Sequence, residues 1–160
     1  MKDDARILPG EGISGVVLGM KQADVRGVLG NPQEMSTDKF DDGSDWVSLD
    51  YEDLGLSFGF SSDDDYVLDL IRVERTDMQL FGREIVDLSS KEGLALFAAN
   101  GEQPEGEPFQ QVDEGGDTIR TYDFDGVSIW FVNDQLRMVQ IAPRWRDDDT
   151  QVFPHRAAGG

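Results

Sequence analysis

A ten-residue stretch occurs twice in this chain, and that repetition constrains the fold more than any other feature. Tyr51–Phe60 (Tyr-Glu-Asp-Leu-Gly-Leu-Ser-Phe-Gly-Phe) stands 71 positions before Tyr122–Phe131 (Tyr-Asp-Phe-Asp-Gly-Val-Ser-Ile-Trp-Phe). Tyr, Gly, Ser and Phe recur in the same places, and Leu56 and Phe58 are answered by the apolar Val127 and Ile129. The same offset sets Gly30 on Gly101 and Val25 on Leu96, so one shift aligns a strand-like run and a helix-like run together. Self-similarity at a fixed period is the signature of a duplicated structural unit.

Each unit reads in the same order. Met20–Leu29 carries apolar residues at Val25, Val28 and Leu29 before Gly30-Asn31-Pro32, where Gly supplies a left-handed residue and Pro cannot continue a helix. In the second unit Ser89-Ser90-Lys91-Glu92 has the spacing of a capping box, followed by Leu94, Phe97 and Ala98 on one face. Strands follow each helix. Trp46–Tyr51 alternates, Leu54–Phe60 places Leu54, Leu56, Phe58 and Phe60 on one side, and Val67–Glu74 reads as a third strand. Thr118–Phe124, Val127–Val132 and Leu136–Ile141 repeat the series, the last two joined by a short hairpin connection. The expected fold class is α+β: two tandem repeats, each a short helical segment packed on an antiparallel β-meander, together forming one continuous sheet. The expected boundaries are 1–75 for the first repeat, 76–143 for the second and 144–160 for a C-terminal tail.

Leu18-Gly19-Met20, a run of polar residues with Asp24 and Val25, and then Leu29-Gly30-Asn31-Pro32 carry a family resemblance. The pattern resembles the start of the module shared by the β-lactamase inhibitory protein and the small outer-membrane lipoproteins of the BamE/OmlA (SmpA) kind. It covers about residues 12–143. The resemblance implies helices packed on an antiparallel sheet and, in the tandem inhibitor, a sheet face that binds another protein. The second unit has no Gly-Met, the cysteines of the secreted inhibitor are absent and no signal peptide is expected, so inhibition of a β-lactamase is not implied.

Composition narrows the function classes. With 160 residues and 38% hydrophobic side chains the chain can bury a core, as one domain or two small ones. A formal charge of -19 repels phosphate, so neither nucleic acid nor an anionic membrane is an expected partner. There is no cysteine, hence no disulfide, thiolate metal site or Cys nucleophile, and no apolar run reaches membrane-spanning length. The expected location is cytoplasmic. The 23 Asp against 10 Glu suit turns, because the short carboxylate bonds nearby backbone N–H groups.

The inventory for catalysis is thin. The sole histidine is His155 in the tail, and no nucleophile-elbow, phosphate-loop or dinucleotide motif occurs. Asp63–Asp65, Asp147–Asp149 and the Asp38–Asp45 stretch are acidic clusters. Setting Gly43 at the sixth place of a calcium loop puts Phe40 and Leu49 where ligands belong, so these clusters read as solvated turns. No cofactor, metal or catalytic residue is expected. The candidate partner-binding residues are Trp46, Tyr51, Tyr122 and Trp130, with Asp50 and Asp123 beside them. Trp130 alternates with Val127, Ile129 and Phe131 in its strand, so it belongs to the opposite face. The expected function is non-enzymatic protein binding, of an inhibitor or immunity type, against a basic partner. An intracellular assembly or scaffold role is the alternative, and an acid-based hydrolase is a more distant one.

Overall fold

The computed structural model describes residues 6–75, 77–85, 87–145 and 150–154; the expectations placed on His155 and Asp147–Asp149 lie outside the described residues. In chain order the elements are β1 (Arg6–Leu8), β2 (Gly12–Ile13), β3 (Val16–Val17), α1 (Gln22–Leu29), β4 (Glu34–Lys39), β5 (Asp45–Tyr51), β6 (Leu56–Ser61) and β7 (Leu68–Val73). They continue with β8 (Gln79–Leu80), β9 (Arg83–Glu84), α2 (Ser90–Ala99), β10 (Phe109–Val112), β11 (Thr118–Phe124), β12 (Val127–Val132), β13 (Gln135–Ile141), β14 (Arg144–Trp145) and β15 (Gln151–Val152).

Eight strands form one antiparallel sheet in the order β10-β11-β12-β13-β7-β6-β5-β4. Each half is a four-stranded meander, and the halves meet where β7 pairs with β13. The stretches related by the 71-residue offset, Leu56–Ser61 and Val127–Val132, are the third strands of their halves. Period-two alternation explains why these segments pair as they do: Leu49 and Tyr51, Leu56 and Phe58, Ile71 and Val73, Val139 and Ile141, Val127 and Ile129, and Tyr122 and Phe124 share one buried face. One irregularity in each half, at Gly59/Phe60 and Trp130/Phe131, keeps Phe60 and Leu68, and Phe131 and Leu136, on that face.

The expectation of α+β repeats, with helices covering a meander, is overturned: the chain is mainly β, and a second sheet of five short strands, β3-β2-β1-β8-β9, accompanies the first. Among the described residues there are two α-helices, and they bury too little to form a layer. In α1 only Val25 is fully covered, and in α2 only Gly93 and Phe97. Most of the cover comes from the small sheet and its flanking turns, through Ile7, Ile13, Val16, Leu18, Met78, Leu80, Ile85 and Leu88, which belong to the same hydrophobic core. Two-residue strands give no periodic signal, so sequence pattern assigned their role to the helices.

Local chemistry still fixes each helix. The Asp24 carboxylate accepts the Lys21 N–H at 3.0 Å at the start of α1, and the Gly30 N–H returns to the Arg26 carbonyl at 2.8 Å at its end. In α2 the Ser89 hydroxyl accepts the Glu92 N–H while Glu92 accepts the Ser89 N–H, at 3.2 and 3.1 Å. Phe97 stacks on Phe124 of the large sheet at 4.1 Å and receives Phe81, after β8, edge-on at 5.2 Å, so one ring joins α2 to both sheets. No helix is long and apolar enough to cross a membrane among the described residues.

Arg144 closes the ends of the structure. Its guanidinium donates to the Asp125 carbonyl at 2.9 Å, to the Pro9 carbonyl at 3.5 Å and to the Glu102 carboxylate at 2.9 Å. It reaches them by lying across Gly10 and Gly126, whose backbones touch: a Cβ at Gly126 would stand 2.8 Å from both the Gly10 Cα and the Arg144 Cγ. Beyond Arg144, β14 pairs with β15 and Phe153 packs against the core. Gly126 also has φ +86, so Gly126→Ala combines backbone strain with a backbone clash and is expected to cost about 2–4 kcal/mol. Gly101→Ala, at φ +80 with no atom within 4 Å of the new Cβ, should cost only about 1–2 kcal/mol. Thermal unfolding of both variants checks the difference, which is lost if the Gly10–Gly126 contact is slack.

Candidate functional site

The alternation that buries one face of the large sheet sends the intervening side chains to the other. Cross-strand register places Asp50, Ser57, Arg72, Gln140, Ser128 and Asp123 in a single row over six strands, β5 to β11. The row is nearly symmetric about the β7–β13 seam, with Arg72 and Gln140 in the middle and a carboxylate toward each end. Each carboxylate is held by serine. Ser57 Oγ donates to Asp50 Oδ1 at 2.7 Å, Ser48 Oγ donates to the same oxygen at 3.1 Å, and Ser128 Oγ donates to Asp123 Oδ1 at 2.7 Å. Five strand spacings separate Asp50 from Asp123, about 24 Å at roughly 4.8 Å each. Arg72 is exposed and makes no salt bridge among the described residues, so the row has one free cation between two fixed anions.

Trp46 and Trp130 lie on this face, each half-buried. Trp130 stands on β12 between Thr121 and Met138. Its counterpart at the 71-residue offset is Gly59, which has no side chain, but the space is not empty. The Trp46 indole lies directly over Gly59, where a Cβ would come within 1.8 Å of the ring. A neighbouring strand thus supplies the indole that the second half carries on the equivalent strand itself. Trp46, Trp130, Asp50 and Asp123 therefore share the open face, the side to which strand alternation had assigned Trp130.

Tyr51 and Tyr122 do not. Both are on the covered face, 1% and 8% exposed, and neither is available to a partner. Tyr51 sits edge-on to Phe58 at 5.6 Å, and its hydroxyl donates to the Gly30 carbonyl at 2.7 Å, joining β5 to the end of α1. Burial pushes its phenol above the usual range. Tyr122 meets Phe131 edge-on at 5.9 Å. Tyr51 follows Leu49 by two positions, so alternation requires the same side for both; aromatic identity alone had suggested a surface role. Arg72, Gln140, Met138 and the paired serines were missed as site residues. The signal that finds Arg72, Gln140 and the serines is their place between apolar, inward-facing residues in β5, β6, β7, β12 and β13, whereas Met138 is found through its pairing with Trp130.

The hydroxyl–carboxylate pairs of the face hold one another in place. A serine hydroxyl at 2.7 Å from a carboxylate is oriented by it, while nucleophilic activation calls for a base better matched to the hydroxyl proton. Among the described residues no group of three or more His, Cys, Asp or Glu is placed to hold a metal ion. The acidic turns have local work: Asp42 accepts both the N–H and the hydroxyl of Ser44, which lowers its carboxyl, and Ser61 accepts the Asp63 N–H at 3.1 Å.

Asp69 is the exception. It occupies the irregular step of β7 between Leu68 and Leu70, with one carboxylate oxygen buried and lacking a hydrogen-bond partner. Burial, followed by the facing Asp64 carboxylate, pushes its carboxyl up to about 8 from 3.8. The folded chain therefore holds a proton that the unfolded chain releases near pH 4. This contribution to stability is complete below that point and falls as pH rises toward 8. Asp69→Asn should match the parent near pH 4 and become progressively more stable than it up to pH 8, as measured by denaturant unfolding across that range; parallel curves would refute the assignment. For the indole over Gly59, Gly59→Ala should shift the Trp46 side-chain N–H resonance strongly and that of Trp130 little, with a stability loss below about 2 kcal/mol because the ring can lift away. Compared with protein-family models, with curated proteins and with solved structures, the chain matches none.

Proposed function

We propose that this chain is a cytoplasmic protein-binding module of the inhibitor or immunity type, whose open sheet face engages a basic surface on its partner. The observation that carries this reading is the pair of half-buried indoles on one face, Trp46 over Gly59 and Trp130 on β12, accompanied by the serine-held carboxylates of Asp50 and Asp123. Aromatic side chains that already have part of their surface packed are ordered before binding and lose little entropy on contact, which is what interface anchors need. Carboxylates fixed by neighbouring hydroxyls similarly present a set geometry to an incoming Arg or Lys. A net charge of -19 steers a cationic partner from a distance and raises its rate of encounter. The absence of cysteine suits a reducing compartment. The resemblance of Leu18–Pro32 to the tandem inhibitor's module points the same way.

The test is affinity capture from the native host at low and high salt, with the parent chain and with Trp130→Asp. A partner retained at low salt, released at high salt and lost with Trp130→Asp supports the reading. Once the partner is purified, Trp130→Ala should weaken binding by roughly thirtyfold or more, the level of an interface anchor. Retention of the same proteins by parent and Trp130→Asp alike would defeat it, and a complex indifferent to salt would favour a scaffold role.

A further inference from the structure

The two outer strands of the large sheet are built differently. β4 is Glu-Met-Ser-Thr-Asp-Lys, with three charged side chains along its length, a composition that discourages another strand from adding to it. β10 is Phe-Gln-Gln-Val, without a charge or a proline, and no strand pairs with its outer side among the described residues. Phe109 and Val112 are 62% and 65% exposed. The strand is nevertheless well held on its inner side: it runs in register with β11 from Phe109–Thr121 to Val112–Thr118, and Arg120 donates to Gln110 Oε1 at 3.1 and 2.9 Å.

The phase of the ladder tells which backbone groups face outward. The Asp113 N–H donates to the Asp117 carbonyl at 2.9 Å, so the hydrogen-bonded pairs counting back from there are Gln111 with Ile119 and Phe109 with Thr121. Gln110 and Val112 consequently turn their N–H and C=O groups away from the sheet. We propose that this edge accepts a β-strand from another protein, an extended segment with an uncharged, alternating centre and lysine or arginine at its flanks. The flanks are specified by Glu105 and Glu107 before β10 and Asp113 and Glu114 after it. A second copy pairing antiparallel, Gln110 opposite Val112, would bring those acidic flanks together at both ends, whereas a basic-flanked strand meets opposite charge at both.

The probe is a capped eight-residue peptide of alternating Val and Thr between two pairs of lysines, with amide hydrogen exchange of the full chain as readout. Saturating peptide should slow exchange at Gln110 and Val112 by at least tenfold, and the same peptide with glutamates for lysines should not. Gln110→Pro removes one outward N–H and should abolish the effect. Val112→Lys, which leaves the backbone intact, should weaken binding at least tenfold. Lys39→Pro on β4, where the Phe40 N–H bonded to Ser44 O marks Lys39 as outward-facing, should change nothing. Absence of protection at Gln110 and Val112, equal protection by the glutamate peptide, or protection that grows with protein concentration without peptide would each overturn the proposal, the last by making a second copy the occupant.

Discussion

Three residue pairs hold the large sheet together at its middle. β7 meets β13 through Ile71–Ile141, Arg72–Gln140 and Val73–Val139, and the Ile and Val pairs are fully buried. The strands within each half share four to six pairs, which makes this seam the shortest ladder in the sheet. Were it to part, each meander would present an apolar strand edge to water, and the row from Asp50 to Asp123 would be cut between Arg72 and Gln140. Its security therefore comes from outside the ladder: the Leu136 N–H bonds the Leu88 carbonyl at 2.9 Å ahead of α2, and the core beneath is continuous across both halves. The small sheet and the helices matter here chiefly as the lid that keeps Ile71, Val73, Val139 and Ile141 dry.

Duplication shows in how the open face is filled. Related halves of a sheet begin with related surfaces, and a large residue gained on one must be answered or left unmatched on the other. Trp130 and Gly59 stand at equivalent places, yet an indole covers both, one from its own strand and one leaning from β5. The glycine is the condition for the second arrangement, since any Cβ there would occupy the ring. Symmetry of shape thus survives loss of symmetry in sequence. The same holds for the carboxylates, where Asp50 is held by two serines and Asp123 by one.

What could be read from the sequence follows from which interactions are local. Alternation placed the six inner strands of the large sheet, and the Ser89–Glu92 capping box placed the start of α2, because neighbours in sequence determine both. The lid was not legible. Ile7, Ile13, Val16 and Leu80 come from two- and three-residue strands in distant parts of the chain, Met78 from the bend before β8, and the parallel pairing of β1 with β8 has no local signature. Edge strands β4 and β10 were missed for a related reason: all their residues are exposed, so no apolar alternation is required of them. At the site, strand periodicity assigned Trp130 to its face; Trp46, Tyr51 and Tyr122 were chosen as aromatics in strand-like runs and Asp50 and Asp123 as acids beside them, and for Tyr51 and Tyr122 that choice runs against the side their own strands dictate.

The acidic surplus bears differently on the two surfaces. On the open face Asp50 and Asp123 are fixed by serine hydroxyls, Glu34 and Asp38 of β4 stand exposed opposite Asp50 and Trp46, and Arg72 at the centre keeps the face from being uniformly negative. Around β10 it flanks an uncharged strip, which discourages like chains from adding edge to edge while leaving the strip open to a basic segment. The surfaces also join. Register carries Met138, Trp130, Thr121 and Phe109 in one row, so the side chain at the end of the Trp130 row belongs to the edge strand itself. A strand added beside β10 would lengthen that row by one residue and bring its own side chain next to Phe109. A single partner that supplied both a strand and a basic surface would then bind the two surfaces as one, with the second contact made at the high effective concentration set by the first.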